Sequence, residues 1–549
     1  MHNRPTTPIS SRSDAADLRD FHWWQRATLY QVYVRSFFDS NGDGIGDLAG
    51  VLARLDYLSW LGVNTVWLSP IYPSPQADFG YDVADYCDVD PCAGSLADFD
   101  RLLAELHRRN MKLLMDFVPN HTSSRHPWFI DSRRARDSAH RDWYLWRDPA
   151  PGGGPPNNWL SQQNESAWTF DETTGQYYLH IYLKEQPDLN WRNPQVRLAM
   201  LDVLRFWLDR GVDGFRIDAI AHLIKDRRWR DNPPNPDLRS DDPPSKRQKP
   251  FFLRDQPEVH EVIGWFRRLI DLYGDRILIG EMYLSPGRLV SYYGPDGLSF
   301  PFNFELTEIK WSAARIRAAI ASYEAVLAPD DWPNWVLGNH DRPRISARIP
   351  ENHLRLAALL LLTLRGTPTM YYGDEVGMLS AEIAPDEARD PRGRALPGFG
   401  RDPERSPMQW NADRAAGFTV GEPWLPVAPD YQRRNVASQR DEAGSLLRLY
   451  QRLLELRAKE PALEVGEYDP ASAHDDIVAY CRTFANSQFF VALNFSDHRL
   501  EISLPLPFTR GQLRLSTDEL RREGLVGPSI ELRPGEGQII ALGPSATAS

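Results

Sequence analysis

Two hydrophobic rhythms alternate along most of the chain. Apolar runs of strand length lie at 29–34, 63–70, 112–119, 214–218, 277–281, 303–306, 335–341 and 369–375. Between them, three-to-four-residue periodicity at 48–62, 96–110, 194–211, 260–274, 314–328 and 353–366 predicts amphipathic helices, and a further helix covers 445–461. Eight such strands alternating with helices predict an α/β fold, and eight units point to a closed (β/α)8 TIM barrel over a doubly wound sheet. The rhythm breaks twice. Residues 122–193 are rich in Trp, Pro and Gly, hold a hairpin-like run at 177–183, and are too long for an ordinary loop. They read as a small domain inserted after strand 3. Past about 463 the chain changes to short alternating runs at 477–483, 488–494, 500–504, 530–532 and 538–542, which predict a C-terminal antiparallel β-sandwich domain. Residues 1–20 read as a disordered leader. The barrel is then expected from 21–121 and 194–462.

Composition narrows the partners. A net charge of −12 disfavours nucleic acid. The three cysteines, Cys87, Cys92 and Cys481, give neither a disulfide framework nor a zinc spacing. No apolar leader is visible at the N-terminus, and the longest apolar stretch, around 356–364, is far short of a membrane span. A soluble, reducing, cytoplasmic setting is the expectation, with no membrane partner and no organic cofactor. The 18 Trp and 21 Tyr exceed ordinary packing needs and suit stacking on sugar rings.

Candidate chemistry starts at Gly214-Phe-Arg-Ile-Asp218. Period-2 geometry points Arg216 and Asp218 to the same face. The arginine would hold the carboxylate ionised and oriented, as a nucleophile requires; a strand-end salt bridge without chemistry would look the same. Glu281 and Asp341 also end predicted strands. In a barrel these ends share one face, where three acids suit glycoside chemistry: one attacks the anomeric carbon, one protonates the leaving oxygen, and one stabilises an oxocarbenium-like transition state. Elsewhere, Asp39-Ser-Asn41-Gly-Asp43-Gly44-Ile45-Gly-Asp47 places side-chain oxygens at alternating positions, like the first half of a calcium loop. Gly50 stands where an EF-hand carries glutamate. The loop reads either as a cage for a hard cation, built from Asp39, Asn41, Asp43, the Ile45 carbonyl and Asp47, or as an Asx-rich turn.

Four blocks then stand in a recognisable order: Asp116-Phe-Val-Pro-Asn-His121, Gly214-Phe-Arg-Ile-Asp218, Gly280-Glu281 and Gly338-Asn-His-Asp341. With them the chain resembles the α-amylase family of glycoside hydrolases over nearly its whole length. The resemblance implies Asp218 as nucleophile, Glu281 as general acid/base and Asp341 as transition-state stabiliser, with His121, Arg216 and His340 holding the sugar in the reacting subsite. Gln186-Pro-Asp-Leu-Asn190, Asp78-Phe-Gly-Tyr81 and Arg401-Asp-Pro-Glu-Arg405-Ser-Pro-Met-Gln-Trp410 resemble the oligo-1,6-glucosidase and α-glucosidase branch. There the equivalents of Asp78 and Arg401 grip the hydroxyls of the terminal sugar and Tyr81 stacks under its ring; Arg405 lies in the same matching stretch. The 39–47 loop matches the branch's metal loop, which implies structural Ca2+. Ala219, after the nucleophile, implies a preference for α-1,4 over α-1,6 bonds. The run Gln163-Asn-Glu165 departs from the branch, which has phenylalanine and glycines before Ser-Ala-Trp, and bears on the acceptor side. The expected substrate is a small oligosaccharide or α-glucoside, released from its non-reducing end. A transferase or isomerase on the same barrel, such as a trehalose synthase or a sucrose-acting enzyme, is the alternative. A non-enzymatic relative, like the heavy chains of amino-acid transporters, would carry a membrane helix and lack the carboxylates.

Overall fold

A computed structural model of the chain describes residues 17–239, 244–471 and 474–543. Eight parallel strands form a nearly closed barrel: β1 (Leu29–Val32), β2 (Thr65–Leu68), β3 (Lys112–Phe117), β4 (Gly214–Ile217), β5 (Ile277–Gly280), β6 (Phe300–Pro301), β7 (Asn334–Val336) and β8 (Thr367–Tyr371). Their order is β7-β8-β1-β2-β3-β4-β5-β6, so the sheet is continuous from β7 round to β6.

Three of the expected strands differ, the eighth running Thr367–Tyr371 rather than 369–375 and giving way to a 3-10 turn at Asp374–Val376. The sixth lies at Phe300–Pro301, where Phe300 pairs with Ile279, rather than at 303–306. Pro301 has no N–H to continue the ladder. Asn303 Oδ1 then accepts the Glu305 N–H at 3.1 Å, and the chain turns into the short helix Glu305–Glu308. The seventh strand stops at Val336, so Asp341 sits in the turn beyond it, its N–H donated to Asn339 Oδ1 at 3.0 Å. Only Asp218 and Glu281 directly follow their strands.

Strand alternation sorts the barrel into an apolar floor and a polar mouth. Phe215 and Ile217 of β4 point outward into the core shared with the helices. Inside, Leu29, Trp67, Leu114, Ile277, Ile279 and Phe300 fill the lower layer. The inward positions above them are Gln31, Asp116 and Arg216, all buried. Gly214 has no room for a side chain: a Cβ there would lie 2.4 Å from the Ile277 carbonyl oxygen.

The inserted segment forms a three-stranded antiparallel sheet from Trp146–Arg147, Gln176–Leu179 and Trp168–Asp171, over a cluster including Trp159, Trp168, Leu179 and Ile181. It is pinned to the barrel by a fully buried ion pair, Lys225 Nζ to Asp188 Oδ2 at 2.7 Å. Lys225 also donates to Asn120 Oδ1 at 2.9 Å.

At the C-terminal end, a six-stranded antiparallel sheet takes the order Glu467–Pro470, Ile477–Phe484, Ser487–Asn494, Gly537–Leu542, Gly511–Ser516, Gly524–Val526. The strands at 467–470, 511–516 and 524–526 were not expected. Leu500–Ser503 and Ser529–Leu532 form a separate pair. Period 2 gives the larger sheet two apolar faces. Ile477, Ala479 and Cys481 pack with Ile502 and Ile530 of the strand pair, whereas Val478 and Tyr480 join the barrel core. The expected leader lies outside the described residues up to position 16. Its last residues, Leu18–Asp20, form a single 3-10 turn.

Candidate active site

Arg216 is the hub of the barrel mouth. Register places it beside Asp116 of β3. One nitrogen, Nη1, donates to Asp116 Oδ1 at 2.6 Å and to Asp218 Oδ1 at 2.7 Å, and Nη2 lies 3.5 Å from Glu281 Oε2. Glu281 also accepts the Ala219 N–H at 2.9 Å. Ala219 itself adopts a left-handed backbone, φ +50°, which turns the following chain into the short 3-10 helix Ile220–His222. Asp218 and Glu281 are thus held on one cation at the ends of neighbouring strands.

Burial pushes both Asp218 and Glu281 up to about 7 and Asp116 to about 6, with Arg216 pulling each back. Of the two, Asp218 has the closer contact with the guanidinium, at 2.7 Å against 3.5 Å, while Glu281 alone also accepts a backbone N–H. Asp341 behaves oppositely. Burial alone would raise it, but His340, Arg401 and Arg405 hold it well below the ordinary carboxylate range. His340 is itself driven down by burial and is neutral at pH 7, so the two arginines are the charges that matter there.

Arg401 ties three carboxylates together beside the catalytic candidates. Its guanidinium donates to Asp78 Oδ1 at 2.7 Å, to Asp341 Oδ1 at 3.1 Å and to Asp390 Oδ1 at 2.7 Å. Arg405 stands behind, wholly buried, donating to Asp341 Oδ1 at 2.9 Å and to the His340 carbonyl at 2.8 Å. The structure therefore brings both arginines to Asp341, and it is Arg401 that reaches Asp78. The loop carrying Asp78 is fixed from below: Asp82 accepts the N–H groups of Ala77 and Asp78, each at 2.9 Å.

Tyr81 and His340 stack with ring centroids 5.3 Å apart and planes 8° apart. Gln31 Nε2 donates to His340 Nδ1 at 2.7 Å, which leaves His340 Nε2 to face the Tyr81 hydroxyl at 2.8 Å; Tyr81 donates on to Asp116 Oδ2 at 3.0 Å. His121 is set similarly. Asn120 Nδ2 lies 3.1 Å from Nδ1, and Nε2 lies 3.0 Å from the Tyr81 carbonyl. Burial lowers His121 to about 4, so it too is neutral. Asp218, Glu281, Asp341, Asp78, Tyr81, His121, Arg216, His340 and Arg401 thus form one connected constellation. Sequence reasoning left out Asp116, Gln31 and Asp390. The first two were readable as inward positions of β3 and β1, but Asp390 lies in a stretch without periodicity.

Other expectations fall elsewhere. Ala219 is buried beside the site, as His121, Arg216 and His340 are. Gln163, Asn164 and Glu165 form a tight turn closed by the Ser161 N–H to the Glu165 carbonyl at 2.8 Å, and Asn164 takes a left-handed φ of +68°. Such a position suits glycine or asparagine. In the 39–47 loop, Asp39 Oδ1 accepts the N–H groups of Asn41 and Gly42, Asp39 Oδ2 that of Gly44, Asn41 Oδ1 that of Asp43, and Asp43 Oδ1 that of Ile45. Asp47 is held by Ser40 and the Gly50 N–H. The donor set offers only oxygens, as a hard cation requires. Among the described residues, however, no three His, Cys, Asp or Glu side chains converge as a metal cluster. No helix of the described residues is long and apolar enough to cross a membrane.

The Alpha amylase, catalytic domain family matches residues 31–466. A probable alpha-glucosidase of Rhizobium meliloti (strain 1021) is 41% identical, covering 89% of this chain and 92% of its own length. An oligo-1,6-glucosidase of Parageobacillus thermoglucosidasius is 37% identical over 94% of this chain and 98% of its own. Among solved structures, an alpha-glucosyl transfer enzyme, XgtA, superposes with a TM-score of 0.90 at 40% identity, covering 95% of this chain and all of its own.

Proposed function

Because the chain belongs to the α-amylase family of glycoside hydrolases, we propose that it is a retaining, exo-acting α-glucosidase. It would release terminal α-glucose from short α-glucosides, with α-1,4-linked, maltose-like substrates favoured over α-1,6-linked ones. The observation that carries the reading is the Arg401 bridge: one guanidinium joins Asp78 to Asp341, and we read that bridge as a wall that closes the pocket beside the catalytic acids. A blind end of this kind admits one terminal sugar and excludes a running chain. The α-1,4 preference rests on the resemblance at Ala219.

In this reading Asp218, aligned by Arg216, attacks the anomeric carbon while Glu281 gives its proton to the leaving oxygen. Glu281 then takes a proton from the water that releases glucose. Asp341, held ionised by Arg401 and Arg405, faces the positive charge that develops on the ring. His121 and His340, both neutral, and Arg216 hold the sugar; Asp78 and Arg401 grip its far hydroxyls; Tyr81 stacks beneath it. Transfer to a second sugar is the alternative, supported by the similarity to the α-glucosyl transfer enzyme. It shares the same covalent intermediate and differs in what reaches it. The unpaired cysteines Cys87, Cys92 and Cys481 support a reducing, cytoplasmic location.

A proton NMR time course with maltose tests the assignment. Free glucose as the main product is expected. New α-linked oligosaccharides or a non-reducing disaccharide as the main product would replace hydrolase by transferase, and no reaction would remove the maltose preference. We also propose that the 39–47 loop takes structural calcium through Asp39, Asn41, Asp43, the Ile45 carbonyl and Asp47. Dialysis against EDTA should then lower Tm by about 2–4 °C, restored by calcium; an unchanged Tm would remove the metal.

A further inference from the structure

Tyr182 stands at the pocket but outside the networks described above. Its ring centroid lies 5.2 Å from that of His121 and 6.1 Å from that of His222, between the histidine after β3 and the turn after Ala219. Its carbonyl is fixed by His180 Nδ1 at 3.2 Å. The side chain is only partly buried, and its hydroxyl has no hydrogen-bond partner among the described residues. Neighbouring tyrosines differ: the hydroxyls of Tyr72, Tyr81 and Tyr86 donate to the Asp116 carbonyl, the Asp116 carboxylate and the Val118 carbonyl. Burial raises Tyr182 well above an ordinary phenol, and the charges acting on it next are, in order, Asp218, Glu281, Asp188 and Asp341. A phenol in that field keeps its proton and is a standing donor.

His121 borders the reacting sugar in the reading above and His222 lies on the turn that follows Asp218 and Ala219, so a phenol between the two stands at the edge of that sugar, where the next one begins. We propose that Tyr182 is a substrate-contacting, specificity-determining residue whose hydroxyl donates a hydrogen bond to the sugar at the junction between the reacting glucosyl unit and its neighbour. The inference deepens the glucosidase reading and rests on it. A sugar held there competes better with water for the glucosyl-enzyme, so Tyr182 raises the share of transfer at high substrate.

The test is Tyr182→Phe, which keeps the ring. Its Tm should match that of the wild type. KM for maltose should rise about fivefold with kcat within about twofold, as one neutral hydrogen bond implies. The ratio of oligosaccharide to glucose at high maltose, read by proton NMR, should fall severalfold. Maltose titrated calorimetrically into Asp218→Asn should bind about fivefold more tightly than into the Asp218→Asn, Tyr182→Phe double variant. A purely structural tyrosine would not move the product ratio. Unchanged KM, affinity and product ratio in an active enzyme would overturn the Tyr182 contact alone. A wild type inert towards maltose, isomaltose and sucrose would overturn the glucosidase reading and the sugar contact with it.

Discussion

Arginines drawn away from solvent in two regions of the molecule are satisfied in opposite ways. At the barrel mouth Arg216, Arg401 and Arg405 face carboxylates: Asp116, Asp218, Glu281, Asp341, Asp78 and Asp390. Where the barrel meets the C-terminal sheet, Arg457 and Arg482 face only main-chain carbonyls. Arg457 donates to the carbonyls of Leu362 (3.1 Å), Leu463 (2.7 Å), Gly366 (2.7 Å) and Glu464 (3.2 Å), and Arg482 to those of Thr363 and Gly466. Several of these acceptors end the helix Leu354–Thr363 or follow it. Carbonyls orient a cation but cannot exchange protons with it. Burial accordingly lowers Arg457 to about 10 and Arg482 to about 9; Glu464 and Glu324 pull them back, but neither acid is hydrogen-bonded to them. At the mouth acids outnumber arginines, a proton is left over, and its position can change during a reaction. The same residue type serves as a fastener in one region and as an electrostatic tuner in the other.

The contrast would break most visibly at Asp218, the proposed nucleophile. Asp218→Asn should lower kcat by about 10⁴-fold or more with the fold intact by circular dichroism; retained turnover would move the chemistry elsewhere. Matched arginine-to-lysine changes sharpen the comparison. Arg216→Lys loses the planar fork and should cost about 10²-fold in kcat with little loss of Tm. Arg482→Lys should do the reverse, lowering Tm by about 3–6 °C while kcat of the folded enzyme stays within about twofold. If both variants lost activity and stability together, the two regions would not be separable. Arg401→Ala opens the pocket wall: KM for maltose should rise about tenfold, and longer maltooligosaccharides should gain relative to maltose.

The smallest effect expected concerns the spare proton. Folding raises Glu281 from its ordinary 4.5 to about 7. The folded state therefore binds that proton more tightly, and the stability it contributes is present below about 4.5 and lost as pH rises through about 7. Glu281→Gln cannot ionise. Its Tm should fall less between pH 5 and pH 8 than the wild-type Tm does, by about 2–4 °C. Parallel Tm curves for the two proteins would place the proton on another group.

Much of this was legible in the sequence because period-2 and helical patterns report burial directly. β1 to β5 follow their apolar runs, and inward polar positions such as Arg216 stand out within them. Legibility failed where a local hydrogen bond overrode the pattern. Asn303 captures the Glu305 N–H and turns an apparent strand into a helix. Asp341 sits beyond a strand that stops at Val336, and only motif order located it. The short outer strands of the C-terminal sheet are half exposed and lack alternation, so tertiary pairing creates them. Asp390 is the extreme case. No local pattern marks it, yet it holds Arg401 through both oxygens, at 2.7 and 3.1 Å.

On the glucosidase reading proposed above, the Arg401 wall also fixes an order of traffic. A pocket shut at one end has a single door, so whatever enters last must leave first. The departing part of the substrate stands in the doorway and has to clear it before water can come in by the same route. Glucose, deepest in the pocket, can leave only after both. Glucose accumulating outside waits at that doorway as well. There it competes with fresh substrate for the empty pocket, and with water for the glucosyl group, so the enzyme's own product slows its work and shifts the work toward building sugars.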